Sequence, residues 1–459
     1  MKTKFINIAE SLRASFWLIP ALMVIVAIIW SFNMVAFDKY VESRSMRYWG
    51  VLFSVSPEGA RAILSTIAGS MMTVAGVTFS ITIVVLNLAS TQFGPRLLRN
   101  FMQDRSTQFV LGTFVASFIY CLLVLRSTQT VSTEIFVPSF SVTLAVILAF
   151  LSVGVLIFFI HHISTSIQAD QVIEGVSREL KQNIHRIFPD EQEKKSEGLA
   201  KRISIIQERK KEHFHQHNII ACDNGYLQAI DQEGLLKMAK DNDYLIHLKL
   251  RPGQFVVEDS VIVSVSSEEK FDEGLTGAII NAFILGGQRT PEQDAEYSIH
   301  QLVEIAIRSL SPGINDPYTA IACIDQLGSA LCKLAGRKLP SSSCFDDEGI
   351  LRLRTKAYTY SGMLNASFDQ IRQYGRDSVA VTVRMLEMLT IISMQTCNPD
   401  QRKAIHRQAN MILRASWQVM LEKEDKGDTQ ERYEELLSVL NGFNDQNGPY
   451  GIPDRLPVS

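Results

Sequence analysis

The chain carries four apolar runs without a single charged residue: Ala14 to Phe37, Ala62 to Ala89, Phe109 to Leu125 and Val137 to Ile160. Roughly 20 helical residues cross a hydrocarbon core, so each run is long enough, or nearly so, to span a bilayer. A soluble fold has no place for four such segments. The first run, of 24 residues, is too long for the apolar core of a cleaved signal peptide and lacks the small residues of a cleavage site, so it reads as an anchor. Pro20 is expected to kink it. Pro138 opens the fourth run, where a proline costs no helix hydrogen bond.

Charge divides the chain along the same line. Residues 1–160 contain 11 of the 45 Lys and Arg and 6 of the 48 Asp and Glu, leaving 34 and 42 for the remainder, so the net charge is +5 before residue 160 and -8 after it. An overall charge of -3 argues against a nucleic-acid partner. The six cysteines are scattered, with no CxxC pair, which fits a reducing compartment and excludes a Cys-built zinc site. Positive flanks orient the spans. One side has Lys2, Lys4, Arg13, Arg96, Arg99, Arg105, Arg178 and Lys181, and the other has Lys39, Arg44, Arg47, Arg61 and Arg126. Eight against five predicts both termini in the cytoplasm.

The second span is unlike the others. At 100° per residue, Ser65, Gly69, Thr73, Gly76, Ser80 and Asn87 fall on one stripe, while Ile63, Ile67, Met71, Val74, Ile81 and Val85 lie opposite, interrupted by Thr78. Lipid alone does not select such a stripe. Small residues let two helices approach closely, and the same residues can line a water-filled path in which hydroxyls and an amide replace part of an ion's hydration. Four spans cannot enclose a wide pore, so a path requires a homo-oligomer. No acid or base lies inside the runs, which disfavours coupled transport through a buried carboxylate. Gln92 to Phe101 sets Leu97, Leu98 and Phe101 beside Arg96 and Arg99, either as an amphipathic collar or as a topology-fixing flank.

The expected fold is a membrane α-helical part of four transmembrane helices, followed by a mixed α+β cytoplasmic region: a small β-rich module, then a mostly helical domain. The boundaries are 1–162 for the membrane domain (spans about 14–37, 62–89, 109–125 and 137–160), 163–217 for a neck helix and charged linker, 218–268 for the β-rich module, 269–443 for the helical domain and 444–459 for a flexible tail. The fourth helix is expected to continue through Phe188, with Ile173, Val176, Leu180, Ile184 and Ile187 as a seam. His213, His215 and His217 alternate as on one strand face, a weak metal cue, and no metal is assigned. Pro252-Gly253-Gln254-Phe255-Val256 resembles the hairpins of biotinyl or lipoyl carriers. No Lys lies between Lys249 and Lys270 to carry such a group, and no cofactor is expected. From Phe271 to Leu334 the pattern is helical, with one further strand at Leu351 to Tyr360. Asn315 or Asp316 can cap a helix that has Pro317 at its first position. The alternative is that Arg308, Asn315 and Asp316 contact a small ligand or a neighbouring subunit.

The polar second span running into Ser90-Thr91-Gln92-Phe93-Gly94-Pro95-Arg96-Leu97-Leu98, together with Gly225 to Asp231, Arg251-Pro252-Gly253, Gln288 to Asp294 and Ser311 to Ala320, resembles a bacterial family of predicted multi-pass inner-membrane proteins of unknown function. The likeness covers nearly the whole chain. It implies the inner membrane of a bacterium and the same order of modules, and carries over no catalytic or binding residue. From the residues alone, the leading reading is an oligomeric ion channel or passive pore lined by the stripe, with the lipid bilayer, further copies of itself and an ion as partners. The alternative is a non-conducting sensor or scaffold that signals to cytoplasmic partners. GxSxG, HExxH and Walker A patterns are absent from the sequence, so an enzyme is not expected.

Overall fold

The computed structural model describes residues 16–43, 56–97, 101–188 apart from 103, 129, 132 and 133, and 215–442 apart from 338 and 397. His213, the charged linker and the tail lie outside these residues. By internal contacts the chain divides into two units, Met1–Gln171 and Val172–Ser459. That division falls inside a helix, nine residues beyond the boundary expected at residue 162.

The first unit consists of four helices, α1 (Leu18–Ser43), α2 (Pro57–Phe93), α3 (Arg105–Ser127) and α4 (Ser139–Ser166), each long and apolar enough to cross a membrane. The short strands β1 (Thr130–Val131) and β2 (Glu134–Ile135) pair antiparallel between α3 and α4. The most enclosed helix is α3, which packs against the other three. Gly112 permits the closest approach, since a Cβ there would meet Met23 Sδ at 2.5 Å and Pro20 Cα at 3.1 Å, the close contact that small residues allow between membrane helices. Pro20 lies only two residues past the start of α1, so no helix turn precedes it there to be bent as expected. It sits in the first turn of α1, where its missing N–H has no partner to lose. Two apolar clusters fill the bundle, one around Leu64, Tyr120, Val124 and Val142 and the other around Met71, Val110, Phe114 and Phe159.

The neck is not a continuation of α4. That helix stops at Ser166, and after Ile167 and Gln168 a second helix, α5 (Ala169–Ile187), begins. Ser164, Thr165 and Ser166 each turn a hydroxyl back onto a carbonyl three or four residues earlier. Such back-bonding competes with the helix ladder and favours an end or a bend. In α5, Ile173, Val176, Leu180 and Ile184 are buried within the second unit, so the expected seam packs on its own domain.

The second unit begins its sheets with β3 (His215–Ile220) and β4 (Gly225–Ile230), followed by α6 (Gln232–Asp241), β5 (Leu245–Leu248), β6 (Phe255–Val256) and β7 (Val261–Ser267). A short α7 (Thr276–Ile280) and β8 (Phe283–Gly286) come next, so the stretch after Phe271 is not wholly helical as expected. Helices α8 (Tyr297–Ser309) and α9 (Pro317–Ala335) intervene before β9 (Ser343–Phe345) and β10 (Leu351–Arg354) return to the sheet. One sheet has the order β3-β7-β5-β10-β9 and the other β6-β4-β8. Only β10 with β5 is a parallel pair among these. A boundary at residue 268 therefore cuts through the β-rich module, whose core includes Leu227, Ile246, Val263, Ile279 and Leu353. The remainder is helical, α10 (Tyr360–Gly375), α11 (Val379–Met394), α12 (Pro399–Trp417) and α13 (Lys423–Gly442), packed with α8 and α9.

Candidate functional site

Helix α2 starts where Ser56 accepts the Gly59 amide and Pro57 occupies the first turn, and it stops at Gly94, whose φ of 110° continues no helix. Its 37 residues extend about 55 Å, well beyond a hydrocarbon core. One face is buried against its neighbours at three- and four-residue intervals: Ala60, Leu64, Ala68, Met71, Ala75, Thr78, Thr82, Val85, Ala89 and Phe93. Ser65, Gly69, Thr73, Gly76, Ser80 and Asn87 all lie on the other face and are exposed. A Cβ at Gly69 or Gly76 would meet nothing within 4 Å. The stripe covers 22 residue steps, about 33 Å, the full thickness of a hydrocarbon core. Its flanks carry Met72, Val77, Phe79, Val84 and Leu88, all exposed. The hydroxyls of Thr73 and Ser80 donate to the carbonyls of Gly69 and Gly76, each at 2.9 Å. Thr66 and Ser70 do the same one turn back. Their protons are therefore satisfied within the helix, and at these four positions oxygen lone pairs are what the hydroxyls offer outward.

Ionisable side chains fix the bundle at its helix ends. Asp38, buried on α1, accepts the amides of Phe140 at 2.9 Å and Ser141 at 3.0 Å and the Ser141 hydroxyl at 2.5 Å, which makes it the N-terminal cap of α4 from another helix. The guanidinium of Arg61 on α2 donates to the Thr128 carbonyl that ends α3. Asp104 caps α3 through the amides of Ser106 and Thr107 and meets His162 Nε2 of α4 at 2.7 Å. Burial raises the Asp104 carboxyl, but the Thr107 hydroxyl and His162 outweigh it and hold the group below the usual carboxylate range. Sequence spacing gives no sign of these partners, because each pair joins different helices.

In the second unit the distant motifs meet. Gln228 donates to the Gln288 carbonyl at 2.9 Å, and Gln293 closes both ends of its amide on the Ile230 backbone. Arg289 grips Asp294 with two nitrogens at 2.8 and 2.6 Å, and Asp294 is only 1% exposed. Gly253 has φ of 90° and turns its Cα directly onto the Asp294 carboxylate, leaving no room for a side chain. Arg251 pairs with Glu296 at 2.8 Å and lies over the Tyr358 ring at 4.2 Å. The Tyr358 hydroxyl accepts the Ala295 amide and donates toward the Gln293 carbonyl. Burial pushes this phenol up to about 12, so it stays protonated. Burial also raises the Asp294 carboxyl, against the pull of Arg289. The motifs thus form a clamp between the sheets and α8, with Arg251 Nη1 buried in it without a hydrogen-bond partner. Tyr358 and Glu296 belong to it, and neither stood out in the sequence.

The Ser311 to Ala320 segment is a rigid helix connection. Asn315 has φ of 50°, and Asp316 accepts the amides of Tyr318 and Thr319, each at 3.1 Å, and the Thr319 hydroxyl at 2.6 Å. Arg308 lies toward Glu304 on its own helix at 3.4 Å. The cap occupies the Asp316 carboxylate, while Tyr318 next to it is 80% exposed. His215 and His217 lie on β3, and His217 stacks on Phe271 at 4.5 Å. Among the described residues no group of three or more potential metal ligands converges.

Comparison with known proteins points to a family of predicted membrane proteins. The chain matches, over residues 13–390, the family described as Predicted membrane protein (DUF2254). It is 28% identical over 382 residues to uncharacterized protein Mb1321c of Mycobacterium bovis, covering 82% of this chain and 72% of that one. Uncharacterized protein Rv1290c of Mycobacterium tuberculosis is similar to the same degree. No solved structure matches. With four apolar helices of spanning length and a match over most of its residues, the chain belongs to the DUF2254 family of predicted membrane proteins.

Proposed function

We propose that the protein is a homo-oligomeric ion channel or passive pore of a bacterial inner membrane, with both termini cytoplasmic, lined by Ser65, Gly69, Thr73, Gly76, Ser80 and Asn87 and controlled by its cytoplasmic part. The observation that carries this reading is the stripe's position: α2 buries its opposite face in the bundle and leaves these six residues outward over the thickness of a bilayer. A helix facing only lipid gains nothing from glycines and hydroxyls along its exposed centre, whereas a helix that packs on copies of itself beside an axis uses both. At Thr73 and Ser80 the hydroxyl protons are spent on backbone carbonyls and acceptor oxygens are left outward, which at those two positions suits a cation better than an anion. The reading includes no catalytic step, in keeping with the lack of hydrolase, zincin and nucleotide-binding patterns in the sequence.

The test is flux through proteoliposomes. Thr73→Leu and Gly76→Leu are expected to reduce cation flux at least tenfold while the detergent-solubilised particle keeps its size, since a bulky apolar side chain closes and dewets a narrow path. Flux unchanged in both variants overturns the reading. A protein without conductance, whose soluble part retains a specific partner on pull-down, favours the sensor or scaffold instead.

A further inference from the structure

Charge changes sign along one helix of an otherwise acidic region. From Gln401 to Leu421 the chain carries Arg402, Lys403, Arg407 and Arg414 and no Asp or Glu, although the residues after 160 sum to -8. Helix α12 covers most of this stretch and buries Ala404, Ile405, Gln408, Ala409 and Ile412 against its neighbours. At 100° per residue, Lys403, Arg407, Asn410, Arg414 and Trp417 fall within about 80° of one another on the other side. All but the half-buried Asn410 are exposed. Arg402 is turned away from this side and donates to the carbonyls of Val439 and Leu440 in the last turn of α13.

The exposed cations are held in place without being neutralised. Arg407 donates to Ser361 Oγ at 3.3 Å and Asn365 Oδ1 at 2.9 Å, both on α10, and Arg414 Nε donates to the Asn410 carbonyl at 3.2 Å. Asn410 is itself fixed by the Tyr433 hydroxyl of α13, which donates to its Oδ1 at 2.6 Å. Among the described residues neither guanidinium meets a carboxylate, and Asp369 of α10 is committed to Gln408 at 3.2 Å and Arg372 at 3.7 Å. Lys403 has a loose pair with Asp400 at 3.8 Å, and both are so exposed that the pair contributes little. Where the row ends, Trp417 is 45% exposed and Leu421, in the connection to α13, is 92% exposed. Cations without counter-charges beside an exposed indole and an exposed isobutyl group fit an anionic bilayer surface, which takes the charges at its headgroups and the apolar groups at the acyl boundary. An acidic polypeptide answers the charges but gives Leu421 no purpose. Helix α5 follows α4 after only Ile167 and Gln168, so the chain carrying α12 is tethered to any bilayer that α4 crosses. Docking there costs far less freedom than capture of a free partner.

We propose that the face of α12 carrying Lys403, Arg407 and Arg414, with Trp417 and Leu421, docks on the surface of a bilayer that contains anionic phospholipid. The docking is independent of whether the protein conducts ions. The test uses the full chain with Trp17, Trp30 and Trp49 replaced by Phe, which leaves Trp417 as its sole tryptophan. It is reconstituted in nanodiscs with brominated acyl chains and either phosphatidylglycerol or phosphatidylcholine headgroups. Trp417 emission should be quenched about twofold more in the phosphatidylglycerol discs, and about 0.5 M salt should remove the difference. In the chain with all its tryptophans, amide exchange across residues 414–422 should slow in phosphatidylglycerol discs and not in phosphatidylcholine discs. Lys403→Glu combined with Arg414→Glu, at positions that hold no other helix in place, should bring quenching down to the phosphatidylcholine level at an unchanged unfolding midpoint. Lys237→Glu with Lys270→Glu, exposed lysines elsewhere, should leave it unaltered. Equal quenching with both headgroups, quenching with neither, or a double variant that behaves as its parent overturns the proposal. A blue shift of Trp417 in lipid-free detergent that grows with protein concentration assigns the face to a second copy and overturns it equally.

Discussion

At Gly253 the backbone and a buried carboxylate meet with no intervening side chain, and the clamp around Asp294 depends on that approach. Gly253→Ala places a Cβ against Asp294 and holds an L-residue at positive φ, so it should cost about 1–3 kcal/mol, read as a lower denaturation midpoint. Tyr358→Phe removes a hydroxyl that accepts one amide and donates to a carbonyl, and should cost about 1–3 kcal/mol because those groups stay buried. Asp316 gives a pH-dependent case. The Thr319 hydroxyl, then the amides of Thr319 and Tyr318, lower its folded-state pKa below the unfolded value of about 3.9. A depressed carboxylate contributes its full stabilisation above the unfolded pKa and loses it as pH falls through the folded one. Asp316→Ala should therefore cost about 0.5–2 kcal/mol near neutral pH, and wild type and variant should converge in strongly acidic buffer, as followed by thermal unfolding across pH. The capping role of Asp316 was legible from Asn-Asp-Pro ahead of an apolar helix. Glu296 and Tyr358 were not, nor was their meeting with Arg251, since only the folded chain brings positions so far apart together.

The elements divide in the same way between local and distant causes. Four apolar runs, the alternation of Ile246 and Leu248 in β5, and the face of α8 carrying Leu302, Ile305 and Ala306 are periodic signals within one segment, and each forms the expected element. What the sequence concealed needed partners from elsewhere. Strand β10 reads as a lone extended stretch until β5 supplies its parallel neighbour from beyond α7, α8 and α9. The end of α4 is set by three hydroxyl residues that periodicity counts as neutral helix positions. Helix caps donated across the bundle belong to the same class. Asp38→Ala leaves the first amides of α4 without their acceptor and should lower stability in detergent by about 1–2 kcal/mol, measured as a fall in the thermal unfolding midpoint, with Asp38→Asn recovering part of it.

At the scale of the whole molecule, the single chain leaves the Ser65 to Asn87 stripe uncovered, so subunit arrangement decides its role. Images of the solubilised particle should show a ring with α2 nearest its axis. Thiol-reactive, membrane-impermeant probes should modify Cys placed at Ser65, Thr73 and Ser80, whereas a lone protomer with all three sites shielded by acyl chains would remove the basis for conduction. The order of elements, four apolar helices first and a region of mixed sheets and helices second, was readable from charge and hydropathy. The reach of the sheet past residue 268 was not, because strands return to it from far along the chain. The cap on α4 also bears on biogenesis. Asp38 and Phe140 are 102 positions apart, so the nascent polypeptide must deliver its first helix to the translocon with that carboxylate unmatched. A partner emerges only when the fourth helix leaves the ribosome. Synthesis arrested after the third helix should therefore yield a protease-sensitive intermediate.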